Sequence, residues 1–127
     1  GLAAAHAIHN GLTALAETHS FYHGEKVAFG VLAGLQLTDA PPDESATVFS
    51  FCEEVGLPTT LADIGLDSGH RGKLMRAAEK TCAPEQSIHH EAGRITAAKV
   101  LDAMLVADAI GRRRRSGGSG SKAGGVS

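Results

Sequence analysis

The chain has 127 residues, of which 43% are hydrophobic and 20% are charged, with a formal net charge of −2. This composition is typical of a single globular domain. Aromatic residues make up only 4% and tryptophan is absent, which disfavours recognition of nucleic acids or sugars by stacking. The two cysteines are far apart and form no metal or redox motif, which favours a reducing compartment. No apolar run reaches the roughly 20 residues of a membrane span, and we expect a cytoplasmic protein.

Two helices are predicted at the start of the chain. They cover about residues 2–15 and 24–39 and are joined by a loop. The second helix is apolar on nearly all sides, which indicates a central and buried position. Gly30 and Gly34 lie one turn apart on it, and the missing side chains would let a neighbouring helix approach closely.

A third helix is predicted to begin at the pair Pro41 and Pro42, since proline is favoured in the first turn of a helix. It ends before Gly56, a residue typical of helix C-termini. Helical spacing predicts that three of its apolar side chains face inward, namely Phe49, Cys52 and Val55.

The remaining elements are also helical. Thr60 and Asp63 have the spacing of a capping box, which indicates a short helical turn. A helix is predicted over about residues 69–82, and a last one begins after Thr96 and ends near Ile110. No segment alternates with the period of a strand. The predicted fold is an all-α antiparallel bundle of about five to six helices.

Charge is distributed unevenly along the chain. Residues 1–110 contain all 14 acidic residues and 7 basic ones, whereas residues 111–127 contain 5 basic residues and no acid. Residues 112–127 combine Arg112–Arg115 with glycine and serine, which predicts a disordered tail without contacts to the body. The domain prediction is therefore a helical domain over 1–111 and a tail over 112–127. The acidic body disfavours nucleic-acid binding through the arginines. Because the chain begins without methionine, we expect it to be part of a longer protein.

Seven histidines raise the question of a metal site. His19 and His70 lie among polar residues and are expected on the surface. His89 and His90 are adjacent, without further ligands nearby, and are weak evidence for a site. His6 and His9 differ from these, because residues three apart on a helix point to the same side.

A third histidine can reach this pair. The first helix rises about 14 Å between His6 and Leu15 at about 1.5 Å per residue, and the loop that follows can return about 23 Å. His23 can therefore lie level with His6 in an antiparallel hairpin. Two neutral imidazoles suit zinc or ferrous iron, but a metal site needs at least a third ligand. His9, Glu25 or a residue from another part of a longer protein could supply it.

Five segments of the chain resemble one protein family, in the same order. They are GLAAAHAIHNGLTAL, HGEKVAFG, VGLPTTLADI, SIHHEAG and VLDAMLVADAIG. Together they are similar to the C-terminal helical domain of the glycerol dehydrogenases, a branch of the metal-dependent, iron-containing alcohol dehydrogenases whose fold is also that of dehydroquinate synthase-like enzymes. The resemblance covers about residues 1–111. It implies an oxidoreductase that converts glycerol, or a similar small polyol, to dihydroxyacetone by hydride transfer to NAD.

The resemblance also implies a site. By its motifs, His6 and His23 hold the metal, which is zinc or else iron, together with an aspartate from the N-terminal half. His9 lies beside them as a catalytic residue. One motif departs from the family, because His90 replaces an asparagine.

The N-terminal half of such enzymes, which binds most of the NAD, has no counterpart in this sequence. The resemblance therefore implies a chain that is inactive alone and homo-oligomeric when full length, without nucleic-acid or membrane partners. The alternative is a truncated, non-catalytic helical module with a structural or interaction role.

Overall fold

The computed structural model describes residues 2–82 and 95–124, with side chains for 4–82 and 95–117. This part of the chain forms five α-helices and two 3₁₀ turns and contains no strand, which confirms the all-α prediction. The 3₁₀ turns are Ala16–Thr18 and Ala62–Ile64. The helices are α1 (Leu2–Thr13), α2 (His23–Leu37), α3 (Pro42–Val55), α4 (Arg71–Thr81) and α5 (Ala97–Gly124).

Helices α1 and α2 form an antiparallel hairpin with closely spaced backbones. The glycines of α2 lie against Ala5 of α1. A Cβ atom on Gly30 would lie 2.9 Å from the Ala5 carbonyl oxygen, and one on Gly34 would lie 3.4 Å from the Ala5 nitrogen. The predicted close approach of a neighbouring helix at these glycines is thus confirmed.

Helices α4 and α5 complete a four-helix core. Helix α1 packs on α4, α2 packs on α5, and α4 packs on α5. The fully buried side chains between them are apolar, and burial of such side chains stabilises the fold by about 1.5–3 kcal/mol each. They include Ile8, Leu12, Phe29, Leu32, Leu74, Val100 and Met104.

Helix α3 packs on the outside of this core, chiefly against α2. Phe49 and Cys52 are buried, as predicted. The prediction for Val55 is wrong, because its side chain is 55% exposed. With one main neighbouring helix, only part of the apolar face of α3 is covered. Gly56 then ends the helix in the left-handed conformation, with φ 78°.

The predicted start of α5 is confirmed and the predicted end is wrong. The Thr96 hydroxyl accepts a hydrogen bond from the Lys99 amide at 3.2 Å, as expected of an N-cap. The helix does not stop near Ile110 but continues to Gly124. No helix in the described ranges combines the length and apolarity needed to cross a bilayer.

Acidic partners explain why α5 continues through its arginines. Arg112 pairs with Asp108 on the same helix at 2.9 Å. Two further arginines pair with other elements: Arg114 binds Glu53 of α3 at 2.8 Å, and Arg115 binds Asp63 at 2.6 Å. The expectation of a tail without contacts to the body is therefore wrong for this stretch. Charge composition alone could not show that the acidic body offers matching carboxylates.

The segment just before the turn Ala62–Ile64 is held against α5 through its backbone groups. The buried carboxylate of Asp108 accepts a hydrogen bond from the Leu61 amide at 2.8 Å. Gly111 lies directly against the Thr59 carbonyl oxygen, where no Cβ atom fits. The predicted short helical turn is confirmed. The capping box is only half formed: the Asp63 amide donates to the Thr60 hydroxyl at 3.3 Å, but the Asp63 carboxylate accepts from the Thr59 amide at 3.0 Å.

Candidate functional site

The hairpin of α1 and α2 brings three histidines together. His6 and His9 lie on α1, and His23 is the first residue of α2. The rings of His9 and His23 meet edge to face with centroids 4.3 Å apart, and the His6 and His9 centroids are 6.5 Å apart. The predicted return of His23 to the α1 histidines is confirmed in position, although its ring meets His9 most closely.

The three imidazoles differ in their surroundings. His6 and His23 are exposed, whereas His9 is only 6% exposed. His6 Nε2 lies 3.2 Å from the Asn10 side-chain amide, which donates to it when that nitrogen is unprotonated. Both ring nitrogens of His9 are enclosed and lack a hydrogen-bond partner within the described residues. Leaving a buried polar group without a hydrogen bond costs about 1–3 kcal/mol of folding free energy. A hydrogen-bond partner for His9 would therefore have to come from outside the described residues.

The surroundings of His9 favour its neutral form. Burial lowers the pKa of the imidazole, and the nearby charge of His23 lowers it further. The neighbouring Asn10 side chain opposes these effects and raises the pKa, whereas Lys26 and His6 lower it, and the net shift is downward. A neutral imidazole has one lone pair and one N–H, so it can accept one hydrogen bond and donate another.

Glu25, a candidate third ligand, is engaged elsewhere. Its carboxylate accepts a hydrogen bond from the Tyr22 amide at 2.8 Å and so caps the start of α2. Among the described residues, no group of three or more His, Cys, Asp or Glu side chains is placed to hold a metal ion. The hairpin therefore offers imidazoles without a carboxylate, which is fewer groups than a complete metal site needs.

Sequence reasoning missed Lys26, which lies one turn after His23 on α2. The residue is only 8% exposed. Its ammonium makes no hydrogen bond or ion pair with another described residue. The sequence does contain a signal for this residue, because Lys26 is the only lysine or arginine in an otherwise largely apolar helix.

The other histidines lie away from this cluster or outside the described residues. His19 is exposed, and its Nε2 lies 2.9 Å from the Thr13 carbonyl oxygen. His70 is exposed just before α4, so both surface predictions are confirmed. His89 and His90 fall outside the described residues.

A separate groove lies between α5 and the connection from α2 to α3. It has a volume of about 560 Å³ and contains none of the three histidines. Gln36, Phe49 and Ile110 line it, and the Arg114 guanidinium lies over the Phe49 ring at 5.7 Å. Glu53 already balances the charge of this arginine, and the ion pair lowers the pKa of the Glu53 carboxyl.

Comparison with known proteins identifies close relatives. No protein-family model matches the chain. It is 57% identical over 115 residues to a glycerol dehydrogenase of Thermotoga maritima and 53% identical over 112 residues to one of Pseudomonas putida. These matches cover 91% and 88% of this chain but only 32% and 31% of the relatives. A glycolaldehyde reductase of Halobacterium salinarum is 45% identical over 115 residues, which are 91% of this chain and 32% of that protein.

Solved structures agree with these relatives. A probable glycerol dehydrogenase of Sinorhizobium meliloti matches with a TM-score of 0.82 and 46% identity, over 86% of this chain and 31% of that one. Glycerol dehydrogenase of Schizosaccharomyces pombe matches with a TM-score of 0.82 and 33% identity, over 90% of this chain and 30% of that one. The chain thus spans about a third of the length of the relatives it matches. Over about nine tenths of its own length, it is homologous to the glycerol dehydrogenases, which are oxidoreductases.

Proposed function

We propose that this chain is the metal-binding helical part of an NAD-dependent glycerol dehydrogenase. The observation that carries the proposal is the convergence of His6, His9 and His23, with both ring nitrogens of His9 left without a partner among the described residues. Homology to glycerol dehydrogenases supports the choice of reaction.

The donor set suits a divalent metal. His6 and His23 are exposed imidazoles on two helices, so they are accessible both to a metal ion and to another part of the protein. Imidazole nitrogens suit zinc and, equally, ferrous iron. We assign these two residues as the ligands from this chain, and we expect a carboxylate from outside it. When bound, a divalent metal supplies a Lewis acid that makes the hydroxyl group of an alcohol easier to deprotonate.

His9 has a different role in this proposal. Its ring is enclosed beside His23, and its nitrogens are free of protein partners in the described part of the chain. A neutral imidazole placed there can hold or relay a proton next to the metal ligands without being one of them. The close contact of α1 with α2 at Gly30 fixes the distance between His9 and His23.

Substrate and cofactor follow from the same proposal. We assign glycerol or a similar small polyol as the substrate and NAD as the hydride acceptor. NAD would be bound mainly by a nucleotide-binding part that the described helices do not include. Purified alone, this chain should therefore not reduce NAD in the presence of glycerol.

A chimera tests this function. This chain would replace the matching third of the Thermotoga maritima glycerol dehydrogenase, and NADH formation from glycerol would be followed by absorbance. We expect an active chimera whose activity and bound metal are both lost in His6→Ala and in His23→Ala. His70→Ala serves as the control, because that exposed histidine lies outside the cluster. A folded chimera with bound metal but no activity would contradict the proposal and favour a non-catalytic helical module.

A further inference from the structure

The side chain of Asn10 lies against one of the two histidines assigned as metal ligands. Asn10 follows His6 by one turn on α1, and residues four apart on a helix share a face. The Asn10 amide nitrogen is 3.2 Å from Nε2 of His6. We propose that Asn10 is a positioning residue that holds His6 in one tautomer, with the proton on Nδ1 and the lone pair on Nε2. This inference deepens the proposed function, on which it rests, by naming the residue that fixes the lone pair of a metal ligand.

The chemistry of this contact decides the role of each nitrogen. A side-chain amide nitrogen carries two N–H donors and does not accept hydrogen bonds. Nε2 of His6 is therefore the acceptor, which requires that it carries no proton. Because a neutral imidazole has one N–H and one lone pair, the proton of His6 lies on Nδ1.

His19 shows the opposite arrangement in the same chain. Its Nε2 lies 2.9 Å from the Thr13 carbonyl oxygen. A carbonyl oxygen only accepts hydrogen bonds, so the neutral ring of His19 carries its proton on Nε2. His6 and His19 are both exposed, so both rings are in contact with solvent and the neighbouring protein group distinguishes them. The lone pair therefore lies on Nε2 in His6 and on Nδ1 in His19.

The tautomer matters because a histidine binds a metal through the nitrogen that carries its lone pair. His6 can do so through Nε2 without moving a proton within its ring. Asn10 gives up its hydrogen bond to Nε2 on metal binding. The N–H at Nδ1 of His6 then remains available to an acceptor, as is usual in metal-binding histidines. Asn10 thus holds the ring ready in the metal-free chain.

Nitrogen NMR of the metal-free chain, with isotope-labelled histidines, tests the proposal. The two ring nitrogens of a neutral histidine give different chemical shifts in each tautomer. The spectra would be recorded at about pH 8, above the usual histidine pKa of about 6.5. We expect the Nδ1–H form for His6 and the Nε2–H form for His19. Spectra of His6→Ala and His19→Ala assign the two sets of signals.

Two variants change the group next to His6. Asn10→Leu has nearly the same shape but no N–H donor, so the ratio of Nδ1–H to Nε2–H forms should fall about fivefold, the effect of losing one ordinary hydrogen bond. Asn10→Asp offers only acceptors when ionised, so the Nε2–H form should prevail. His19 should keep its Nε2–H form in both variants, which separates a local effect from a change in fold. An Nε2–H form of His6 in the wild type, or an unchanged ratio in Asn10→Leu, would overturn the inference.

Zinc addition tests the link to the proposed metal site. In the wild type, zinc should bind at Nε2 of His6, and the side-chain amide signals of Asn10 should shift in step with zinc occupancy. Zinc binding at Nδ1 of His6, with the Asn10 signals unchanged, would also overturn the inference. Failure of the two proposals is distinguishable. Metal retained by the His6→Ala chimera contradicts the proposed function, whereas the wrong tautomer in the metal-free chain contradicts only the role of Asn10.

Discussion

Gly30 provides a sharp test of the packing that holds His9 beside His23. The perturbation is Gly30→Ala, which adds one methyl group between α1 and α2. The new Cβ atom would lie 2.9 Å from the Ala5 carbonyl oxygen and 3.5 Å from the His9 amide nitrogen. The nearest contact is backbone, which cannot move aside as a flexible side chain can, so α1 and α2 must separate.

The magnitude follows from two opposing effects. Replacing a mid-helix glycine by alanine favours the helix by about 1 kcal/mol. Overfilling a packed interface costs about 1–3 kcal/mol. Gly30→Ala should therefore lower the free energy of unfolding by up to about 2 kcal/mol. At Gly34 the nearest atom would be 3.4 Å away, so Gly34→Ala should keep most of the helical gain.

The assay is urea unfolding followed by circular dichroism, with Gly72→Ala as a second control because a Cβ atom there meets nothing within 4 Å. We expect Gly30→Ala to be less stable than Gly34→Ala by about 1–3 kcal/mol, and Gly72→Ala to match or exceed the wild type. The NMR ring signals of His9 should also shift in Gly30→Ala as its contact with His23 loosens. If Gly30→Ala is as stable as Gly34→Ala, the close contact of the two helices is not tight enough to set the histidine geometry.

Two further predictions concern the contacts of α5 with the segment around Asp63. Gly111→Ala places a methyl group on the Thr59 carbonyl oxygen. It should lower the free energy of unfolding by about 2 kcal/mol in the same assay, because overfilling costs up to about 3 kcal/mol and alanine returns about 1 kcal/mol of helix stability. An unchanged midpoint would contradict the described contact. Burial opposes ionisation of Asp63, but hydrogen bonds from Arg115 and the Thr59 amide outweigh it and hold the pKa of that carboxyl below its usual range. The pair of Asp63 and Arg115 therefore stabilises the fold above the pKa of Asp63 in the unfolded chain, about 3.9. This stabilisation is lost as the pH falls through the lower pKa of Asp63 in the folded chain. In Arg115→Met, the free energy of unfolding should fall less steeply than in the wild type as the pH drops below about 4. Arg113→Met, the matched control, should leave it unchanged, and equal acid sensitivity of Arg115→Met and wild type would refute the linkage.

Most of the fold could be predicted because its signals are local. Helical spacing, the prolines before α3, Gly56 after it and the Thr96 cap all act within a few residues of their positions. Val55 was misplaced because its exposure depends on how many helices pack on α3, which spacing does not reveal. The end of α5 was missed because it depends on pairing between distant residues, such as Arg115 and Asp63.

The candidate site could be predicted in part. Spacing and loop length are sufficient to bring His23 back to α1, and the structure agrees. Spacing left Glu25 open as a ligand, and only the structure shows its carboxylate capping α2. The burial of Lys26 could not be recognised from sequence alone, since a lysine beside an apolar run commonly keeps its ammonium in water.

Zinc titration of this chain by calorimetry tests the central claim most directly. We predict weak binding of one zinc ion by the wild type, because this chain offers two of the ligands, and a loss of at least about tenfold in affinity in both His6→Ala and His23→Ala. His9→Ala should retain more affinity than either, and His70→Ala should match the wild type. Full zinc occupancy in both His6→Ala and His23→Ala would contradict the assignment of these residues as the metal ligands.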